Sequence, residues 1–223
     1  MKVSQKRRTS SDQISEFTTN RLSVYLRCLS ELDAAGVQTI SSQALAAQFR
    51  LNAAQIRKDL AYFGEFGVRG VGYYVRDLKR HIRQILGLDR SLRVAIIGAG
   101  NLGLALADYA GFKNEGFEIV ALFDSAVDKV GQQSKGGVPI HGMRDLKRIG
   151  RRLDIAVIAV PVASAQVVAD QLVALGIKAI LNFTPVSLTV PSNVKVKSVD
   201  FTVSLESLSF YLASGGSATN GRP

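Results

Sequence analysis

The chain has 223 residues and 47% hydrophobic content, enough for two modest domains with packed cores. No run of eighteen apolar residues is present, which argues against a helical membrane span, and one cysteine excludes a disulfide framework and suits a reducing cytoplasm. The net charge of +10 is unevenly placed: residues 1–93 hold 16 Lys/Arg against 8 Asp/Glu, and the remainder 12 against 10, so the first part suits a polyanionic partner.

Residues 1–15, with Lys6-Arg7-Arg8, carry too little apolar content to fold. They read as a disordered basic arm that either adds phosphate contacts or solubilises the chain, and they lack the apolar segment of a secretory signal. From Thr18 the pattern turns helical, with Leu22, Tyr25, Leu26, Leu29 and Leu32 on one face and Gly36 as a left-handed stop. Cys28 lies in that pattern and reads as a small buried hydrophobe. Ser41 or Ser42 caps a short helix over 43–49 whose Leu45, Ala46 and Phe49 face inward.

After a break at Arg50-Leu51-Asn52, the spacing predicts a third helix over 53–62. Ile56, Leu60 and Phe63 point to the core and leave an open face of Gln55, Arg57, Lys58, Asp59 and Tyr62. Helix, sharp turn and polar-faced helix is the plan of a helix-turn-helix, whose last helix reads base edges in the major groove of double-stranded DNA. Glycines at 64, 67, 70 and 72 then allow a narrow hairpin with Arg69 near its tip, the wing of a winged helix. A nucleotide-phosphate loop is the weaker reading there, because no strand precedes this one. A basic helix over 77–86 packs through Leu78, Ile82 and Ile85, with His81 on its surface, and residues 87–91 form the boundary. The candidate DNA-binding residues are Gln55, Arg57, Lys58, Tyr62 and Arg69, within a domain spanning 16–86.

The second domain, 92–201, opens with an apolar run over 93–97 that feeds directly into Gly98-Ala99-Gly100-Asn101-Leu102-Gly103 and a helical run over 104–112. Strand, Gly-x-Gly-x-x-Gly and helix in that order form a dinucleotide fingerprint. Gly98 permits the tight turn, Gly100 lets the backbone approach a pyrophosphate, and Gly103 lets helix and strand pack closely. Residues 117–124 read as the next strand, ending in Asp124, which is placed to accept from a ribose diol. No Arg follows it to welcome a 2′-phosphate, so NADH and NAD+ are favoured over the phosphorylated cofactors. CoA or another adenine nucleotide can use the same loop.

Beyond the loop, strands and helices alternate, which implies an α/β, doubly wound parallel sheet. Strands are predicted within 137–141, 153–160, 178–182 and 194–199, with helices over 145–151 and 163–175. Ligands of such sheets lie at the carboxyl ends of the strands, near Val160-Pro161, Asn182–Pro185 and Asp200-Phe201. The tail, 202–214, reads as an amphipathic helix with Leu205, Leu208, Tyr211 and Leu212 on one side, which either covers the sheet or reaches a second copy. No catalytic residue and no metal site are expected. A dehydrogenase would need a substrate domain and a proton-transfer residue, and neither histidine is oriented for that role. The Tyr109-x-x-x-Lys113 spacing matches short-chain dehydrogenases, but it lies two strands too early for that chemistry.

Residues 57–73 (Arg57-Lys-Asp-Leu-Ala-Tyr-Phe-Gly-Glu-Phe-Gly-Val-Arg-Gly-Val-Gly-Tyr73) followed by the 98–103 loop resemble the Rex family of redox-sensing transcriptional repressors. The resemblance runs from Ile14 to Leu212. It implies a homodimer with winged-helix heads, Rossmann cores that bind NADH or NAD+, and terminal helices exchanged between subunits. It further implies that NADH releases operator DNA while NAD+ leaves the protein bound. By the same resemblance Asp200-Phe201 reaches the nicotinamide region of the other subunit, and Arg21, Tyr109 and Asp200 make contacts that differ between the two states.

Overall fold

A computed structural model describes residues 15–214, so the arm over 1–14 and the last nine residues lie outside the described part. The chain divides into two compact units between Arg90 and Ser91.

The first unit runs α1 (Glu16–Ala34), β1 (Thr39–Ile40), α2 (Ser42–Phe49), α3 (Ala53–Phe63), β2 (Gly67–Val68), β3 (Gly72–Tyr74) and α4 (Val75–Ile85). Side chains of Ser15, Ser41 and Asn52 cap the starts of α1, α2 and α3, accepting from the backbone N–H of Thr18, Ala44 and Gln55. Each cap satisfies a helix-end donor that has no partner within the helix. The turn between α2 and α3 is made by Arg50, whose φ of 55° is the one positive value outside glycine among the described residues. Leu22, Leu29, Leu45, Ile56, Leu78 and Ile82 are fully buried and join all four helices in one core. Strands β2 and β3 form an antiparallel hairpin, and β1 pairs with the other edge of β3. The result is a helix-turn-helix with a wing.

The second unit runs β4 (Leu92–Ile97), α5 (Asn101–Ala107), α6 (Ala110–Asn114), β5 (Phe117–Asp124), β6 (Ile140–Gly142), α7 (Leu146–Ile149), β7 (Ile155–Ile158), α8 (Val162–Ala174), β8 (Ala179–Asn182), β9 (Lys195–Ser198) and α9 (Phe201–Ala213). The sheet order is β6-β5-β4-β7-β8-β9, every pair parallel. This is the doubly wound order, and it reverses between β4 and β7, where such sheets bind their ligands. Alternation along the strands feeds two cores. Ala95, Ile97, Phe123 and Ile158 meet Val168, Ala169 and Leu172 of α8, and Val94, Ile96, Leu122 and Val157 meet Ala107 of α5.

Two expectations need correction. The helix predicted over 104–112 is broken at Asp108-Tyr109, where Tyr109 has extended backbone (φ −75°, ψ 103°) and starts α6. The Asp108 carboxylate accepts from the Ser134 hydroxyl and the Gly136 N–H, which ties this point to the 134–136 loop. The terminal helix α9 does not cover the sheet of its own chain. Phe201, Val203, Leu205, Leu208, Phe210 and Leu212 are all exposed, so its apolar surface runs round the helix instead of forming one stripe.

Candidate nucleotide cleft and nucleic-acid interface

A cleft of about 510 Å³ opens at the carboxyl ends of β4, β5 and β7. Gly98 ends β4 with φ 108°, and a Cβ there would collide with the Ala159 carbonyl at the end of β7. Ala159 N–H donates to the Ile97 carbonyl (2.8 Å) and holds the ends of β4 and β7 that close, while Gly98 N–H donates to the Phe123 carbonyl of β5 (2.7 Å) on the other side. Gly103 packs against the Gly98 carbonyl, so the loop folds tightly onto the first turn of α5. Beside Gly100 no atom lies within 4 Å of where a Cβ would stand, which leaves the backbone open to a ligand.

Asp124 closes one side of this cleft. Its Oδ2 accepts from Ala99 N–H (2.8 Å) and from the Lys129 ammonium (3.4 Å), and its Oδ1 accepts from Ala126 N–H (2.9 Å). Burial pushes the carboxyl up, but the N–H groups of Ala126 and Ala99 and the charge of Lys129 outweigh it and hold the group below its ordinary value. Asp124 is therefore ionised at neutral pH. A carboxylate offers about four acceptor sites, so one remains for a ligand hydroxyl and a second hydroxyl must displace Lys129. Lys129 is not among the expected site residues: it lies five positions beyond Asp124 and no motif marks it, so only the fold brings its ammonium to the carboxylate.

Val160, Pro161 and Ser164 form the opposite wall. Asn101 starts α5, and Leu102 is partly exposed beside it. Tyr109 and Phe201 lie outside the cleft of their own chain. Tyr109 is exposed and edge-on to Phe112, and Phe201 stands 6.0 Å from the Phe183 ring. Asp200 caps α9, accepting from Thr202 N–H at 2.8 Å.

In the first unit, a concavity of about 600 Å³ lies between the start of α2, α3 and the hairpin, with Ser41, Gln43, Arg57 and Arg69 on its walls. Ser41 is the cap of α2, and Ser42 is buried instead, where its hydroxyl accepts from Arg57 Nη1 at 2.9 Å. That bond aims an exposed guanidinium from α3. Lys58 is exposed, and Tyr62 is half exposed with its ring edge-on to Phe63 at 5.2 Å. Asp59 departs from the expected open face. It is 4% exposed and accepts from Arg21, Tyr25 and Gln55, so the Gln55 amide is tied to it at 2.7 Å. The three-residue periodicity could not show that α1 offers an arginine and a tyrosine at that point.

The chain is 50% identical to the redox-sensing transcriptional repressor Rex of Thermus thermophilus, over 89% of this chain and 93% of that protein. It is 47% identical to the repressor of the same name from Desulfitobacterium hafniense, over 89% of this chain and 95% of the other. The chain belongs to the Rex family of redox-sensing transcriptional repressors. Solved Rex structures share the fold. RSP, described as a Rex-family repressor, matches with a TM-score of 0.82 and 37% identity over 91% of this chain and 95% of that one. RSP in complex with β-NAD+ and operator DNA matches with a TM-score of 0.86 and 38% identity, over 91% and 94%. Two family models divide the chain: "Putative DNA-binding protein N-terminus" over residues 4–61 and "CoA binding domain" over 89–186. As a Rex-family member the chain is a regulator and not an enzyme.

Among the described residues, no helix is long and apolar enough to cross a membrane, and no group of three His, Cys, Asp or Glu could hold a metal ion.

Proposed function

We propose that this chain acts in the cytoplasm as a homodimeric repressor that holds operator DNA and lets it go when NADH binds. The observation that carries the reading is the presence, on one chain, of a fingerprint cleft closed by an ionised Asp124 and a winged helix with an aimed Arg57. RSP, which this chain resembles over nearly its full length, has been solved with β-NADH and, separately, with β-NAD+ and operator DNA.

In this reading Arg57 meets base edges, while Gln55, Lys58, Tyr62 and Arg69 place the head on the duplex. The 98–103 backbone cradles the pyrophosphate and Asp124 accepts from the adenosine ribose. The cleft suits that cofactor on its own geometry, because Gly100 is open and Asp124 keeps an acceptor site. Tyr109 and Phe201 serve the nicotinamide end across the dimer, with α9 exchanged between subunits so that its apolar surface is covered. Arg21, Tyr109 and Asp200 exchange partners between the two states. The reduced and oxidised cofactors differ by a hydride and a ring charge, and an apolar nicotinamide pocket disfavours the cationic ring by desolvation.

The two sites are coupled by a free energy, commonly about 1–3 kcal/mol in such systems. Operator binding followed by fluorescence anisotropy at fixed salt, against NADH, NAD+ and CoA, tests the reading. NADH alone should release the duplex. Release by CoA with no effect of NADH would favour a nucleotide-responsive regulator that ignores redox state.

A further inference from the structure

The turn after β5 carries a cation that the dinucleotide reading leaves without a role. Lys129 N–H donates to the Ala126 carbonyl (3.1 Å), and the Lys129 carbonyl accepts from Gln132 N–H (3.1 Å), so its backbone is held at both polar groups. From there the side chain returns to the cleft wall, and its ammonium stands 3.4 Å from Asp124 Oδ2, with the lysine side chain 39% exposed. Ser125, exposed, lines the same wall one residue beyond the carboxylate.

A carboxylate that accepts from the ribose hydroxyls repels a 2′-phosphate, which carries nearly two negative charges. A lysine beside that carboxylate works in the opposite direction. It shares the carboxylate's charge while one ribose hydroxyl takes the remaining acceptor site, and it offers a cation beside the carboxylate to a phosphate carried on that ribose. We propose that Lys129 is a second determinant of cofactor choice, a receptor for the 2′-phosphate of NADPH that Asp124 keeps engaged. Discrimination between NADH and NADPH is then set by the pair and not by the carboxylate alone. Removing the carboxylate charge frees the lysine for the phosphate.

The inference rests on the reading of this cleft as the NADH site, and its test separates the two. The quantity measured is the ratio of the NADPH to the NADH dissociation constant in the full-length protein, by competition, with folding followed by thermal melting. Charge reversal in Lys129→Glu should raise the ratio roughly tenfold, since a like charge replaces an attractive one at the phosphate. Asp124→Asn keeps an amide oxygen for one of the two backbone donors, Ala99 or Ala126, and removes the charge; it should lower the ratio roughly tenfold, and the double variant should lose that gain. A ratio unmoved in Lys129→Glu, or an Asp124→Asn gain that survives in the double variant, overturns the role of Lys129. Should Asp124→Asn fail to fold, the single lysine variant decides. Absence of NADH binding by the unmodified protein would defeat the reading of the cleft itself.

Discussion

Arg21 of α1 grips Asp59 of α3 with two hydrogen bonds, Nε to Oδ2 at 2.6 Å and Nη2 to Oδ1 at 2.8 Å. The Tyr25 hydroxyl (2.9 Å) and the Gln55 amide (2.7 Å) complete four donors on one carboxylate. Helix α3 is thereby fastened to α1, the helix that gives the head's core more buried residues than any other. Asp59→Ala leaves those donors without their acceptor. Arg21 is about a third exposed and recovers part of the loss from water, so the head should lose about 2–3 kcal/mol. The urea midpoint should fall at an unchanged slope. An unmoved midpoint would mean the clamp adds nothing to stability.

The same cluster sets a pH window. Burial pushes the Asp59 carboxyl up, but donation by Arg21, Gln55 and Tyr25 outweighs it and holds the carboxyl below its ordinary value. As acid is added the unfolded chain takes up the proton first, so stability falls below about pH 4, toward the folded-state value. Burial of Tyr25 and its donation to Asp59 push the phenol up. The unfolded chain then loses that proton first, and stability falls above about pH 10. Tyr25→Phe should remove the alkaline limb of this cluster and Asp59→Asn the acid limb. A full alkaline limb in Tyr25→Phe would assign it elsewhere.

Arg57 is exposed on α3 and aimed by Ser42. Arg57→Ala should weaken operator binding by about 1–3 kcal/mol and relax the preference for one base pair. Lys58→Ala should instead weaken all duplexes alike and lower the salt slope by about one. Anisotropy against operator and scrambled duplexes distinguishes the two. Equal loss on both duplexes for Arg57→Ala would place that residue on phosphate.

Gly98 has φ 108° and faces the Ala159 carbonyl. Gly98→Ala adds both backbone strain, about 1–3 kcal/mol, and a collision at the base of the cleft. NADH affinity should drop more than tenfold, while operator binding without cofactor stays within about threefold. NADH binding that survives would put the cofactor outside this loop.

Much of this was legible in the sequence because the controlling effects are local. Caps at Ser41 and Asn52, the three- and four-residue spacing of Leu22 to Leu32, and glycines that no other residue can replace announce themselves within a few positions. What was missed depends on distant partners. Asp59 shares the polar register of Arg57 and Lys58, and only Tyr25 and Arg21, more than thirty residues earlier, turn it inward. The break at Tyr109 follows from bonds between Asp108 and a loop 26 and 28 residues later. Apolar spacing in α9 looked like one stripe, because Val203 and Phe210 were left out of it.

In the proposed function the cofactor cleft and the duplex-binding head share one free energy, and such coupling must act equally in both directions. The most direct measurement is the NADH dissociation constant of the purified protein, alone and with saturating operator DNA. The operator should weaken NADH by roughly 5- to 150-fold, the same factor by which NADH weakens the operator. An NADH constant indifferent to the operator would mean that the cleft and the head are not coupled.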